Sequence, residues 1–360
     1  MKHCKTTSYV MERIIECVPN FSEGRDKNVV NSIAHAISSV GGSDIKMLGV
    51  ESGKAANRTV ITFAGRPEDV VRAAFEGVRR ASELIDMRKM HGEHPRIGAT
   101  DVLPLVPIRG VSLEECVSMA RHLAGDIFAR LGIPCYCYEA AAFTESRRRL
   151  ENCRRGEYES LPQRIADPER RPDFSSLAFD EVAARCGATI VGARKVLVAV
   201  NFNLDTTSVE IASRIAGRVR ESGHIVRNPD GTNSRIPGLL PGCKAIGWYI
   251  EEYGFAQVSM NITDTDKTSL YRAFSTVCNQ AAQEGVKVTG TEIIGLVPEQ
   301  CILDAGLHVL SAQTSDGRNS FLSANQSSVN QLINAAIQGL GLSTIRTFIP
   351  EEKIIEYKLK

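Results

Sequence analysis

A chain of 360 residues with 43% hydrophobic and 24% charged side chains is long and apolar enough to bury more than one core. Its 43 basic and 42 acidic side chains leave a formal charge of +1, which excludes bulk attraction to nucleic acid or an anionic membrane, so an acidic ligand needs a local cluster. Ten cysteines without a C-x-x-C pair read as reduced, mostly buried thiols, and a polar start with no apolar run of membrane length points to the cytoplasm.

Residues 13–21 (RIIECVPNF) read as a strand, and residues 27–40 as a helix stopped by Gly41 and Gly42. Two strands follow, IKMLGVES and NRTVITFAG, and then a helix opened by Pro67, Glu68 and Asp69. The next strand, near Asp101, carries Pro104 and Pro107, which cannot donate to a ladder, so an edge or irregular position is expected. A helix over 112–131 and the strand PCYCYEA extend this βαββαβ order, and a charged helical stretch occupies 147–165. From residue 195 the order restarts with the strand KVLVAVNFNL, a helix over 208–222, the strands CKAIGWYIEEY and FAQVSMNIT, a helix over 269–283 and the strand VKVTGTEIIGLV. Residues 228–242 (NPDGTNSRIPGLLPG) read as a mobile surface connection, the pattern over 305–324 is poor, and a last helix covers about 329–339. The expected fold is α/β (α+β), with two ferredoxin-like βαββαβ subdomains and a ligand cleft between their sheets. In residue terms this is an extension over 1–12, subdomains over 13–192 and 193–304, and a C-terminal helical tail over 305–360.

Side-chain alternation in FAQVSMNIT puts Gln257, Ser259 and Asn261 opposite the apolar face, and the strand from Val196 likewise turns Asn201 and Asn203 away from its valines. Glu16 and Asn20 share a face of the first strand. Such faces suit a polar cleft or, equally, a solvated sheet surface.

Reactive side chains concentrate in residues 91–101, where two histidines, two acids and an arginine share a loop broken by Gly92, Pro95 and Gly98. His91 and His94 are three apart rather than four on a helical face, and no further ligand set is evident, so acid-base work by one histidine is favoured over a metal site. Asn57 and Arg58 stand at the mouth of a strand, where a guanidinium can fork onto a carboxylate. Arg147, Arg148, Arg149, Arg154 and Arg155, interleaved with glutamates, form a basic run that is either a solvated helical face or a polyanion patch. Neither a G-x-G-x-x-G fingerprint after a strand nor a Walker-type lysine loop occurs.

The ordered series Glu16-Cys17-Val18-Pro19-Asn20-Phe21, Asn57-Arg58-Thr59-Val60, Gly92-Glu93-His94-Pro95-Arg96, Gly187-Ala188-Thr189, Gly247-Trp248-Tyr249 and Ala256-Gln257-Val258-Ser259 resembles the glutamate formiminotransferase family, in one register from about residue 14 to 304. The resemblance implies transfer of a formimino group from N-formimino-L-glutamate to the 5-nitrogen of tetrahydrofolate, with no metal. It points to His94 as the catalytic histidine, which relays a proton from the attacking folate nitrogen to the departing glutamate nitrogen. The folate-contacting segment of that family corresponds to Ser175, Ser176, Leu177, Ala178, Phe179, Asp180, Glu181, Val182, Ala183, Ala184, Arg185, Cys186 and Gly187. Here it is longer than the family pattern and lacks its Gly-Pro pair. Substrate contacts are expected from Asn20, Glu51, Asn57, Arg58, Glu93 and Arg96 in the first half and from Asn203, Gln257 and Asn261 in the second. The resemblance further implies a homodimer and, with no cyclodeaminase module in the chain, a separate cyclodeaminase. Formyl transfer from formylglutamate and a catalytically silent folate binder are the alternatives.

Overall fold

The computed structural model describes residues 13–40, 45–92, 94–313 and 328–359. The expected extension over 1–12, the helix stop at Gly41 and Gly42, Glu93, and 314–324 of the pattern-poor stretch lie outside the described residues. The protein is mixed α/β and divides into two compact units, residues 1–194 and 195–360.

In the first unit the strands are β1 (Ile14–Cys17), β2 (Asn20–Phe21), β3 (Lys46–Gly53), β4 (Arg58–Gly65), β5 (Thr100–Arg109), β6 (Cys135–Glu139) and β7 (Thr189–Ala193). The helices are α1 (Lys27–Ser38), α2 (Pro67–Leu84), α3 (Leu113–Leu131) and the short α4 (Leu150–Arg154), α5 (Leu161–Ala166) and α6 (Glu181–Cys186). The single strand expected over 13–21 is split at Val18-Pro19, and both pieces pair with β4 and β5. β3 flanks β4, while β5, β7 and β6 run parallel at the other end of the sheet.

β5 is internal rather than at an edge, and only the irregular half of the expectation holds. Its prolines fit because acceptors suffice there: the Pro104 carbonyl takes the Val18 N–H at 3.3 Å, and the register against β1 shifts beside Pro107. α2 starts on Pro67 with Glu68 and Asp69 in its first turn, and buries Val70, Ala74, Val78 and Ala81 against the sheet. Each such valine contributes about 1.5–3 kcal/mol of burial. α3 opens with a capping box of Ser112 and Glu115 and closes on left-handed Gly132. A smaller core of Tyr136, Tyr138, Cys153, Leu161 and Ile190 covers the other face of β6 and β7. The charged stretch 147–165 is therefore not one helix but α4, a 3-10 turn and α5, folded over that core.

The second unit contains β8 (Val198–Leu204), α7 (Val209–Val219), β9 (His224–Arg227), β10 (Asn233–Ile236), β11 (Cys243–Ile250), β12 (Phe255–Ile262), α8 (Leu270–Gln283), β13 (Val288–Ile294), α9 (Glu299–Gln313) and α10 (Val329–Leu340). Its main sheet is antiparallel in the order β11-β12-β8-β13. Val200, Phe202, Val258 and Met260 pack with Ala212, Ile215, Ala273 and Val277 of α7 and α8, and Ile302, Ile333 and Leu340 of α9 and α10 join the same core. The end of the chain is pinned too, since Val297 and Ile355 exchange backbone bonds with Lys353 and Val297 at 2.9 and 3.1 Å. Part of the expected mobile connection is ordered as the β9-β10 hairpin, because Asn228 and left-handed Gly231 close a turn that pairs residues 224–227 with 233–236.

Nine cysteines among the described residues are unpaired, seven of them buried. Burial pushes the Cys116 and Cys137 thiols up to about 12, so these groups are inert packing. Among the described residues no helix is long and apolar enough to cross a membrane.

Candidate active site

The β3-β4 turn and the loop after α2 meet in the first unit around one recess lined by Ser22, Asn57, Arg58, Met90, Gly92, His94 and Arg96. Asn57 takes the left-handed conformation (φ 46°), which asparagine tolerates better than most residues. Its Oδ1 accepts the Gly24 N–H at 3.1 Å and its Nδ2 faces Met90 Sδ at 3.7 Å, so it joins three segments. A Cβ on Gly92 would lie 2.2 Å from the Ala56 carbonyl oxygen, which is why glycine stands where the histidine loop crosses the turn.

Arg96 is buried, and its guanidinium donates to the Met90 carbonyl and to Glu157 and Glu159, at 2.6–3.3 Å. Its donors are occupied within the protein. It thus fastens the loop over 90–96. Glu51 is exposed on β3, opposite Val60, with no hydrogen-bond partner among the described residues.

The centre of the recess is a charged network. Asp101, fully buried at the start of β5, accepts Arg58 Nη1 at 2.7 Å and Arg154 Nη2 at 2.6 Å on Oδ2, and the Ile97 N–H at 3.0 Å on Oδ1. Arg58 Nε donates to Asn20 Oδ1 at 3.0 Å, and Asn20 Nδ2 in turn donates to the Val18 carbonyl at 3.0 Å. Two guanidiniums on one carboxylate leave a net positive charge with little solvent to screen it. Arg58 Nη2 and Arg154 Nη1 have no hydrogen-bond partner among the described residues, so both remain available to an anionic group.

His94, partly exposed, stands over this network with Nδ1 at 2.7 Å from the Pro95 carbonyl oxygen and 3.2 Å from Arg58 Nη1. A carbonyl can only accept, so the shorter contact puts the proton on Nδ1 and leaves the Nε2 lone pair free. Loss of solvation, followed by the charge of Arg58, lowers the imidazole pKa from its ordinary value. The ring is therefore a neutral base at neutral pH, and once protonated a stronger acid than an unperturbed imidazolium.

The expected folate segment is not an irregular loop. Asp180 caps α6 by accepting the Ala183 N–H at 2.8 Å, and Ser176 donates to Asp180 and to the Ala178 carbonyl. Leu177 is three-quarters exposed and Val182 more than one-third, whereas Ala183 and Cys186 are buried. Glu181 pairs with Arg88 at 2.9 Å, Arg185 reaches the Glu83 carbonyl, and the Ala184 carbonyl accepts the Tyr158 hydroxyl. Beyond α6, Gly187 and Gly98 stack backbone to backbone. A Cβ on either would meet a carbonyl oxygen at 2.2 Å, and Ala99 N–H to Cys186 and Ala188 N–H to Ile97 bonds of 2.8 and 3.1 Å join the two strands of chain. Ser175 Oγ, buried, lacks a partner.

In the second unit Asn203 and Gln257 face away from the core, as alternation predicts, yet both are fully buried, whereas Asn261 is exposed. The first unit thus gathers Asn20, Asn57, Arg58, His94 and Arg96, and the second holds Asn203, Gln257 and Asn261. Asp101 and Arg154 were not among the sequence candidates for substrate contact. Arg154 looked like one of five arginines on a solvated helix, and its contact with a residue 53 positions away has no local signature. Of the same run, Arg147 pairs with Asp173, so the stretch is not a free basic patch.

Two family models match: the formiminotransferase domain, N-terminal subdomain, over residues 14–194, and the formiminotransferase domain over residues 199–360. The formimidoyltransferase-cyclodeaminase of Sus scrofa is 42% identical over 347 residues, 96% of this chain and 60% of that protein. This chain accordingly spans about 60% of the length of the animal relatives it matches. The glutamate formimidoyltransferases of Streptococcus pyogenes serotype M1 and Thermoplasma acidophilum are each 40% identical over 85% of this chain, which covers 96% and 95% of their lengths. With both units matched and likeness of this extent to named transferases, the chain belongs to the formiminotransferase family.

Proposed function

We propose that the protein is a glutamate formimidoyltransferase that moves the formimino group of N-formimino-L-glutamate to the 5-nitrogen of tetrahydrofolate, giving 5-formiminotetrahydrofolate and L-glutamate. The observation that carries this reading is the neutral imidazole of His94, with Nε2 free, set on a cationic Arg58-Asp101-Arg154 network in a chain similar over nearly their whole length to two microbial glutamate formimidoyltransferases.

The chemistry needs one proton moved twice. As the folate nitrogen bonds to the amidine carbon it becomes cationic, and His94 Nε2 takes its proton. The imidazolium formed beside Arg58 is disfavoured, so it gives the proton readily to the glutamate nitrogen as the carbon–nitrogen bond to glutamate breaks. The free donors of Arg58 and Arg154 hold a glutamate carboxylate. Segment 175–187, anchored to the His94 loop by the Gly98-Gly187 contact, is the proposed folate contact in this unit, through exposed Leu177 and its neighbours.

Each unit is read as a ferredoxin-like split-βαβ array, supported by its βαββαβ element order and, in the second unit, by the antiparallel strand order β11-β12-β8-β13. The protein is further assigned to the cytoplasm, to histidine breakdown and to a homodimer. A cyclodeaminase is its proposed successor, the activity named together with formimidoyl transfer in the animal relatives.

The test is an assay of the purified chain with N-formiminoglutamate and tetrahydrofolate, and in parallel with N-formylglutamate. Formation of 5-formiminotetrahydrofolate with the first donor at much the higher kcat/KM is expected. Preference for the formyl donor, or no turnover with either, would overturn the assignment. A second expectation concerns pH. Because the charge of Arg58 helps to lower the His94 pKa, Arg58→Gln raises it toward the unperturbed value of about 6.5. The acid limb of the kcat/KM profile then moves to higher pH than in the wild type, and an unmoved limb would remove Arg58 from this role.

A further inference from the structure

The carbonyl that orients His94 is one half of a peptide group whose other half is also held. Pro95 C=O, which accepts His94 Nδ1–H at 2.7 Å, and the Arg96 N–H belong to one trans peptide, so the oxygen and the hydrogen point in opposite directions. On the far side that N–H donates to Glu157 Oε2 at 3.3 Å, and the same oxygen takes Arg96 Nη1 at 3.0 Å. The next residue closes the grip, since the Tyr158 N–H donates to the Arg96 carbonyl at 3.0 Å. Arg96 is thus fixed at its N–H, its carbonyl and its guanidinium, and the peptide plane that faces the imidazole cannot turn without breaking these bonds.

Glu157 holds this place in a strained backbone. At φ 53° and ψ −160° it lies in a region that is populated almost only by glycine, directly after left-handed Gly156. A glycine would sit there without strain, so the side chain needs a reason to be present. Stability does not supply one. Without Glu157, Arg96 keeps Glu159 at 2.6 and 3.0 Å and the Met90 carbonyl at 3.1 Å, so no buried guanidinium is left unpaired, and the Glu157 side chain is itself 41% exposed. The same turn delivers Arg154 to Asp101, and the Glu157 N–H donates to the Arg154 carbonyl at 2.7 Å. Strain of this kind persists where the geometry it enforces is used.

We propose that Glu157 is a positioning residue of the transfer reaction: through the Pro95-Arg96 peptide it locks the His94 ring with its proton on Nδ1 and its bare Nε2 toward the reacting nitrogens. The proposal rests on the reading of His94 as the proton carrier. An imidazole whose Nδ1–H loses its acceptor is free to rotate and to hold its proton on Nε2 instead, where it cannot take one from the folate nitrogen. Both bonds from Arg96 fall on one oxygen of Glu157, so what this residue contributes is an acceptor in a fixed place, and the amide oxygen of a glutamine there can accept both.

Two variants of the full chain test this, Glu157→Gly and Glu157→Gln. Glu157→Gly relaxes the backbone and removes the carboxylate. Its kcat for formimino transfer is expected to fall about 10- to 100-fold, the scale of a slightly misplaced catalytic group, with KM unchanged and a urea midpoint no lower than that of the wild type. Nitrogen NMR of isotope-labelled histidines, at a pH where the ring is neutral, is expected to show the Nδ1–H tautomer of His94 in the wild type and a shift toward Nε2–H in Glu157→Gly. Glu157→Gln is expected to keep both the tautomer and most of the wild-type kcat. An unshifted tautomer in Glu157→Gly, a Glu157→Gln variant as slow as Glu157→Gly, or a clearly lower urea midpoint in Glu157→Gly would overturn the positioning role and leave the transferase reading standing. Absence of turnover in the wild type would overturn the transferase reading, and the tautomer comparison would still decide the role of Glu157.

Discussion

Replacing His94 by alanine is expected to lower kcat by about 10²–10⁴-fold, the range that a positioned acid-base group contributes, with tetrahydrofolate affinity nearly unchanged. The asymmetry follows from its surroundings. The ring makes one bond, to the neighbouring Pro95 carbonyl, and touches Arg58 at 3.2 Å, so its loss removes no buried charge partner and leaves the Arg58-Asp101 pair intact. Single-turnover rates combined with equilibrium titration of folate separate the two quantities. Parallel loss of affinity and rate would mean that the imidazole holds the ligand rather than its proton. His94→Gln keeps a polar side chain without a titratable lone pair and is expected to be nearly as slow as the alanine variant.

The second large effect is expected from Asp101→Asn. It leaves two mostly buried guanidiniums facing a neutral amide, and breaking a buried ion pair from one side costs about 3–5 kcal/mol. A urea titration should show the midpoint falling with the slope unchanged. Catalysis should respond as well, with a definite sign. The charge of Asp101 is among the influences that raise the His94 pKa, so its removal lowers that pKa further and carries the acid limb of the rate profile to lower pH, opposite to Arg58→Gln. A stable variant with an unmoved pH profile would show that the carboxylate is neither a structural hub nor a neighbour felt by the imidazole.

Much of the site could be read in the sequence because it is built from two short segments. Asn57-Arg58 opens β4 and residues 92–96 form a loop that no helix can hold, so dense polar chemistry in both stood out against apolar periodicity. What escaped detection was long-range. Arg154 reaches Asp101 across 53 positions, and Arg96 reaches Glu157 and Glu159 across 61 and 63. β7 was missed for a different reason. All five of its residues are buried between cores on both faces, and TIVGA therefore shows no alternation to mark it as a strand. The edge position expected of β5 failed because the prolines there still supply the acceptors that the ladder uses. On β8 and β12 the alternation was sound, and it put Asn203 and Gln257 on the correct face. Their burial, and the hydrogen-bond direction imposed by Trp248, belong to neighbours that periodicity does not encode.

The back-to-back glycines at 98 and 187 make the segment from 175 onward elastic at one end only. An added residue near Leu177 lengthens a solvent-facing bend, whereas one placed between Cys186 and Thr189 would force β7 to slip against β5 and β6 and drag the histidine loop with it. Descendants of such a scaffold can thus retailor the reach of this arm freely at its tip, while its root stays the same length.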